Sequence, residues 1–158
     1  MLKKISPYAI SILIALAVGG LSAFLTKDNI NLFDNITKPP LLPPMAVFPI
    51  VWSILFILMG IGAAMVFVNR DRDKKAAFEA LKVYGFQLAV NFCWSIIFFN
   101  MQEFLFAFIW LLILLALIII MILKFKKISP AAAYLQIPYV VWVSFAGYLT
   151  LMIYLLNR

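Results

Sequence analysis

The sequence contains no histidine and one cysteine, Cys93. The missing histidine excludes histidine-ligated zinc or haem and catalysis by an imidazole. A single cysteine excludes a disulfide framework. Charged residues are also scarce, at 12% of the chain, whereas a soluble domain contains about 25%. The composition therefore excludes an ordinary soluble domain.

Apolar residues make up 66% of the 158 residues, and the mean hydropathy is +1.10. Crossing a bilayer takes about 20 apolar residues in a helix, and five stretches reach that length. We predict an all-α membrane protein, a five-transmembrane-helix bundle forming one domain over residues 1–158. The spans are expected at about residues 5–25, 49–68, 81–99, 104–123 and 132–156.

The first apolar run follows Lys3 and Lys4, as a signal peptide would. Its length decides between the two interpretations. A signal peptide has an apolar region of about 7–15 residues, and this run is about 21 residues long. We therefore expect a retained helix.

The distribution of basic residues predicts the orientation in the membrane, because lysine and arginine near span ends resist translocation. Three basic residues lie at the first loop, third loop and C-terminus: Lys27, Lys38 and Arg158. The other ten lie at the N-terminus and in or beside the second and fourth loops. We expect a bacterial plasma membrane protein with a cytoplasmic N-terminus and an external C-terminus. The net charge of +7 suits an anionic lipid surface and requires no nucleic acid.

Small residues recur every four positions on the first span, at Ser11, Ala15, Gly19 and Ala23. Such a stripe allows close approach of another helix. That helix could belong to the same chain or to a second copy in a homodimer, and the pattern does not choose between them. On the second span, Gly60 and Ala64 have the same spacing, and there we favour packing within the chain.

Polar residues form a stripe on the third span, where Gln87, Asn91 and Ser95 follow at four-residue steps beside Trp94. Polar groups inside a membrane face the bundle or a cavity, because hydrocarbon cannot satisfy their hydrogen bonds. The stripe therefore indicates either a cavity wall or hydrogen bonds that join helices.

The fifth span has a comparable stripe that includes Trp142, Phe145 and Ala146. Pro138 lies in its first turns and predicts a kink where Tyr139 and Trp142 face inward.

The tryptophans differ in their expected depth. Trp52 and Trp110 lie near span ends, as tryptophans at a membrane interface do. Trp94 and Trp142 lie nearer mid-depth, where a buried indole N–H needs a partner or a ligand. Apart from Glu79 and Lys82 at the start of the third span, the spans contain no aspartate, glutamate, lysine, arginine or histidine. This argues against a proton- or ion-coupled transporter and favours an aromatic cavity for a flat hydrophobic ligand.

The first loop, residues 26–48, is long for a compact bundle and contains two proline pairs, Pro39-Pro40 and Pro43-Pro44. Proline stiffens the chain and lowers its unfolded entropy. We predict an ordered cover over the outer end of the bundle. The apolar residues available for burial in the loop are Leu32, Phe33, Leu41, Leu42 and Met45.

Several motifs together resemble the TspO/MBR family, the tryptophan-rich sensory proteins related to the mitochondrial translocator protein. They are Lys38-Pro39-Pro40 with Pro43-Pro44, Val47-Phe48-Pro49-Ile50-Val51-Trp52, Asn91-Phe92-Cys93-Trp94-Ser95, and the segment from Pro138 to Leu149.

This resemblance implies a five-helix bundle, commonly a homodimer, with a pocket at the outer end beneath the first loop. It implies binding of porphyrins such as protoporphyrin IX and of benzodiazepine-site ligands, with no tightly bound cofactor and no metal. The ligand-binding residues expected are Phe33, Trp52, Phe56, Asn91, Trp94, Ser95, Trp142, Phe145 and Ala146.

Three functions remain open from the sequence. The first is a tetrapyrrole-binding sensor or translocator. The second, also implied by the resemblance, is an enzyme for light-dependent degradation of porphyrin, acting through Trp52 and Trp142. The third is a structural or partner-organising membrane protein.

Overall fold

The computed structural model describes residues 2–158, without the side chains of residues 2 and 4. Within this part of the chain there are six α-helices and no strand. The helices are α1 (Leu2–Thr26), α2 (Val47–Val68), α3 (Lys74–Ser95), α4 (Phe104–Ile128), α5 (Pro130–Tyr134) and α6 (Ile137–Leu156). Two 3₁₀ segments occur, Lys27–Asp34 directly after α1 and Arg70–Arg72 before α3. A π-helical segment, Ile96–Asn100, continues α3.

Five helical segments are long and apolar enough to cross a membrane, with α5 and α6 together forming the fifth. The predicted fold class is therefore confirmed. The spans form a closed ring in the order α1, α2, α5–α6, α4, α3, because each packs against the next and α3 returns to α1. We call the end that carries residues 35–46 the loop end and the opposite end the basic end.

The third span begins earlier than predicted. Helix α3 starts at Lys74, where the Asp73 side chain accepts a hydrogen bond from the backbone N–H of Ala76 at 3.0 Å. Such a cap satisfies one of the free N–H groups of the first turn. The polar first turns of α3 therefore precede the apolar run from which the span was predicted.

The fifth span is broken rather than kinked, which corrects the prediction for Pro138. The helix is interrupted between the end of α5 and the start of α6, and Pro138 lies in the first turn of α6. Proline is accommodated there because the N–H it lacks would have no partner within the helix. The bend is therefore made by the break before α6.

The small-residue stripe of α1 packs within the chain. The Ser11 hydroxyl donates to the carbonyl oxygen of Gly60 at 2.7 Å. A Cβ atom added at Gly60 would lie 2.6 Å from the Cα of Ile12. Since Ala15 is also fully buried, α2 covers this part of the stripe.

The first loop is fastened to the end of α6. The Asn157 side chain accepts from the backbone N–H of Thr37 at 2.7 Å and donates to its carbonyl at 3.0 Å. The Tyr148 hydroxyl donates to the carbonyl of Pro40 at 3.2 Å. Phe33 is buried as expected, whereas Leu41 is 78% exposed and contributes no burial.

Candidate ligand-binding cavity

A cavity of about 280 Å³ lies inside the loop end of the bundle. Helices α1, α2, α3 and α6 form its sides, and the segment after α1 together with Met45 closes its end. None of its lining residues is charged. They are Gly19, Ser22, Ala23, Thr26, Ile30, Phe33, Met45, Phe48, Pro49, Trp52, Phe56, Asn91, Trp94, Ser95, Phe98, Phe99, Ala146, Leu149, Thr150 and Ile153.

Aromatic rings in mutual contact form much of the wall. The ring of Trp52 lies 5.7 Å from that of Phe56 and 6.5 Å from that of Trp94, measured between centroids. Trp94 stacks on Phe98 at 5.1 Å, and Phe98 in turn lies 6.0 Å from Phe33. These separations are typical of stabilising ring pairs. The wall is therefore largely aromatic, and its rings are held in place by their contacts with one another.

Gly19 makes room for one of these rings. A Cβ atom at Gly19 would lie 2.5 Å from Cε2 of Phe56. Because no side-chain carbon is present there, the Phe56 ring can lie against the backbone of α1. The stripe on α1 thus shapes the cavity as well as packing the helix.

A buried hydrogen-bond chain lies beside the cavity. The Tyr139 hydroxyl accepts from the side-chain amide of Asn91 and donates to the side-chain oxygen of Gln87 at 2.7 Å. The Gln87 amide also contacts the sulfur of Met59 at 3.7 Å. The polar stripe was predicted either to line a cavity or to join helices by hydrogen bonds, and it does both. Gln87 joins helices, whereas Asn91 joins helices and also lines the cavity.

Two indole N–H groups are buried without a hydrogen-bond partner among the described residues, those of Trp94 and Trp142. An unsatisfied buried donor costs about 1–3 kcal/mol. Trp94 is in the cavity wall and is 7% exposed. A ligand that brought a hydrogen-bond acceptor to the cavity, with a small shift of the ring, could relieve this cost.

Seven of the nine residues expected at the site line the cavity: Phe33, Trp52, Phe56, Asn91, Trp94, Ser95 and Ala146. Trp142 and Phe145 do not line it. The Trp142 ring packs edge-on against Phe48 at 5.7 Å, and Phe48 is the residue that lines the cavity. Ligand binding by all nine remains a prediction.

Sequence reasoning missed most of the contribution of α1. Ser22 and Thr26 line the cavity, and Thr26 donates its hydroxyl to the carbonyl of Ser22 at 2.9 Å. Their four-residue spacing on an otherwise apolar helix places both on one face, and this pattern could have predicted that they line the cavity. Trp110, the other tryptophan expected near a span end, donates its indole N–H to the carbonyl of Val90 at 2.7 Å and so joins α4 to α3, away from the cavity.

Together these features define a small integral membrane protein whose helical bundle encloses a neutral, aromatic cavity at one end. A comparison with protein families makes this more specific. The TspO/MBR family model matches residues 11–156, and the chain belongs to that family.

Named relatives cover most or nearly all of the chain. The chain is 37% identical over 158 residues to the tryptophan-rich protein TspO of Chlorobaculum tepidum, with 99% of each protein covered. It is 34% identical over 151 residues to the TspO protein of Archaeoglobus fulgidus, covering 93% of this chain and 94% of that one. It is 31% identical over 132 residues to the translocator protein of Bos taurus, covering 83% and 78% respectively.

Proposed function

We propose that this protein binds a tetrapyrrole of the protoporphyrin IX type in the aromatic cavity and acts as its sensor or translocator. The observation that carries the proposal is the uncharged wall to which Trp52, Trp94 and Phe98 contribute aromatic rings in mutual contact. A planar apolar macrocycle is a ligand that such surfaces favour. The names of relatives are consistent with this role, since they include a translocator protein and a tryptophan-rich sensory protein.

The ligand would be held by stacking and burial, with no metal coordination. Among the described residues no group of three or more acidic, cysteine or histidine side chains lies close enough together to hold a metal ion. A metal-free macrocycle requires no such ligand. Its carboxylates would project toward the loop end, where Lys27 follows the lining residue Thr26.

The cavity volume of about 280 Å³ lies just below the range of about 300–1,000 Å³ typical of small-molecule sites. A complete macrocycle would therefore enlarge the cavity by moving aromatic side chains. Phe48 and Trp52 are candidates for this movement, because both line the cavity near the first turns of α2.

We further propose that the protein lies in a bacterial plasma membrane with the basic end in the cytoplasm. Arg70 lies between α2 and α3 at that end, and the terminal turns of α3 and α4 there contain Lys74, Lys75, Lys126 and Lys127. Basic side chains there match the usual bias of cytoplasmic loops. The cavity would then lie toward the outer side of the membrane. A homodimer is part of the proposal, through a surface other than the Ser11 face.

The test is a titration of the purified protein with protoporphyrin IX in the dark, followed by quenching of tryptophan fluorescence. Trp52→Phe should weaken binding by about two- to tenfold, the value of one aromatic contact. Trp110→Phe is the matched control, since Trp110 lies outside the cavity, and should leave the dissociation constant unchanged. Absence of saturable binding, or equal losses in both variants, would refute the proposal.

The second candidate function is light-dependent oxidation of the bound porphyrin by dioxygen. Trp52 favours it, because its ring lies in the cavity wall and contacts those of Trp94 at 6.5 Å and Tyr139 at 6.4 Å. These rings could exchange an electron with an illuminated macrocycle. Loss of macrocycle absorbance under light, abolished by Trp52→Phe but not by Trp110→Phe, would support it, and equal loss in the dark would exclude it.

A further inference from the structure

We propose that hydrophobic ligands reach the cavity sideways from the bilayer, through a seam between α2 and α6 that the rings of Phe48 and Trp142 close. The proposal rests on the proposed function for the nature of the ligand. The seam itself is inferred from the packing of the helices and can be tested without a ligand.

The seam is the weakest boundary in the ring of spans. Helices α1 and α2, α6 and α4, α4 and α3, and α3 and α1 all pack with their backbones close together. The backbones of α2 and α6, which are described throughout, scarcely approach one another. Their contact is made mainly through side chains.

Toward the basic end, α2 is anchored to the fifth span. The Gln136 side chain donates to the carbonyl oxygen of Leu58 at 3.1 Å and to that of Ala132 at 3.3 Å. Gly62 lies directly against Gln136, with no room for a Cβ atom. The short helix α5 also packs on α2. This part of the boundary is closed by backbone proximity and hydrogen bonds.

Toward the first turn of α2, aromatic rings bridge the two helices, and one turn further along Trp52 meets Tyr139 at 6.4 Å. Phe48 on α2 meets Trp142 on α6 at 5.7 Å, and Trp142 in turn meets Phe145 at 5.7 Å. The indole N–H of Trp142 has no hydrogen-bond partner among the described residues. Neither gate residue is therefore held in place by a side-chain hydrogen bond.

The gate separates the cavity from the lipid-facing surface. Phe48 lines the cavity on one side. Close to the gate residues in sequence, Ile50 on α2 is 60% exposed and Val141 on α6 is 63% exposed, as apolar residues that face lipid are. Rotation of the Phe48 side chain would therefore connect the cavity with the acyl chains of the bilayer.

The cover at the loop end is fastened more firmly than the seam. Thr37 is tied to Asn157 by two hydrogen bonds and Pro40 to Tyr148 by a third. On the other side of the bundle, Asn29 donates to Asn100 at 2.7 Å. Opening the cover would break several hydrogen bonds, whereas moving Phe48 and Trp142 apart would break no side-chain hydrogen bond among the described residues. A ligand dissolved in the membrane would therefore enter through the seam between α2 and α6.

The ligand-independent test uses vesicles of phosphatidylcholine brominated on the acyl chains, which quench tryptophans they can touch. A background carrying Trp110→Phe and Trp142→Phe leaves emission from Trp52 and Trp94 and keeps a ring at the gate. Adding Phe48→Ala should increase quenching by bromine. Phe86→Ala, at a lipid-facing position on α3, is the matched control and should not. Unchanged quenching with Phe48→Ala would overturn the proposal.

The second test separates the two routes kinetically, using protoporphyrin IX delivered from protein-free vesicles. A disulfide between Thr37→Cys and Asn157→Cys, in a Cys93→Ser background, would lock the cover. The locked protein should bind at the unlocked rate, and Phe48→Ala should accelerate both association and dissociation by about two- to tenfold, the value of a ring contact. If the locked protein fails to bind while the unlocked protein binds, the proposal of entry through the seam is overturned. Complete absence of binding would refute the proposed function, and the bromine experiment would still decide on the seam.

Discussion

Tyr139 donates its hydroxyl proton to the side-chain oxygen of Gln87 at 2.7 Å, so α6 is hydrogen-bonded to α3 in the interior of the bundle. The same hydroxyl accepts from Asn91, which lines the cavity. A single phenol therefore connects the polar stripe of one span with the aromatic stripe of another. Its position makes it the most informative residue for testing how the bundle is held together.

Tyr139→Phe should destabilise the protein by about 1–2 kcal/mol, because it removes hydrogen bonds and leaves buried amides without partners. Thermal unfolding in detergent measures the effect. Tyr148→Phe is the matched control, since it removes an exposed hydrogen bond to Pro40 and should cost less. If the two variants unfold at the same temperature, the buried chain does not stabilise the bundle.

Gly60→Ala should destabilise the protein by about 1–3 kcal/mol, the usual cost of overpacking. The new methyl group would meet the backbone of Ile12, which cannot move without displacing α1. Gly20→Ala offers a control one helix away, because no heavy atom lies within 4 Å of its added carbon. That variant should be neutral or stabilised by up to about 1 kcal/mol through helix propensity. A neutral Gly60→Ala would show that α1 and α2 do not pack as described.

Gly19→Ala should weaken binding of protoporphyrin IX without abolishing folding. The added carbon would lie 2.5 Å from the Phe56 ring, which can turn into the cavity and reduce its volume. A titration in the dark measures the loss of affinity, with Gly20→Ala again as control. Equal affinity in the two variants would place the ligand away from Phe56.

Leu41→Asn should stabilise the first loop. Leu41 has a φ of 67°, in the left-handed region, where a residue such as leucine is strained by roughly 1–2 kcal/mol. Asparagine adopts this region more readily, and little burial is lost because Leu41 is 78% exposed. We expect a higher unfolding temperature, equivalent to about 1 kcal/mol. Leu42→Asn should give no gain, and a gain there as large as at Leu41 would argue against relief of strain.

The spans were predictable because each helix that crosses the membrane requires a long run of apolar residues, which is visible in the sequence. The spacing of polar and aromatic residues indicated cavity positions on the third and fifth spans, and the family resemblance added Trp52 and Phe56 on the second. What the sequence could not supply was the relative placement of the helices. Trp142 and Ala146 are one turn apart on the same side of α6, yet only Ala146 lines the cavity, because Phe48 of α2 stands in front of Trp142.

The use of the α1 stripe was equally undecidable from sequence. Ser11 and Gly19 would have the same spacing in a dimer interface as in a monomer. Contacts with Gly60 and Phe56, which come from a distant part of the chain, show that Ser11 and Gly19 pack within the chain. The break before α6 was missed for a different reason, since a proline can either kink a helix or begin one.

The contact between Trp52 and Trp94 has an optical consequence. Two indoles whose centroids are 6.5 Å apart readily pass electronic excitation to one another, so light absorbed by either can be lost at whichever ring a chromophore touches. The fluorescence of Trp52 and Trp94 should therefore fall together when a coloured ligand binds in the cavity. Trp110, which lies outside the cavity, should supply a steadier background against which that fall is read.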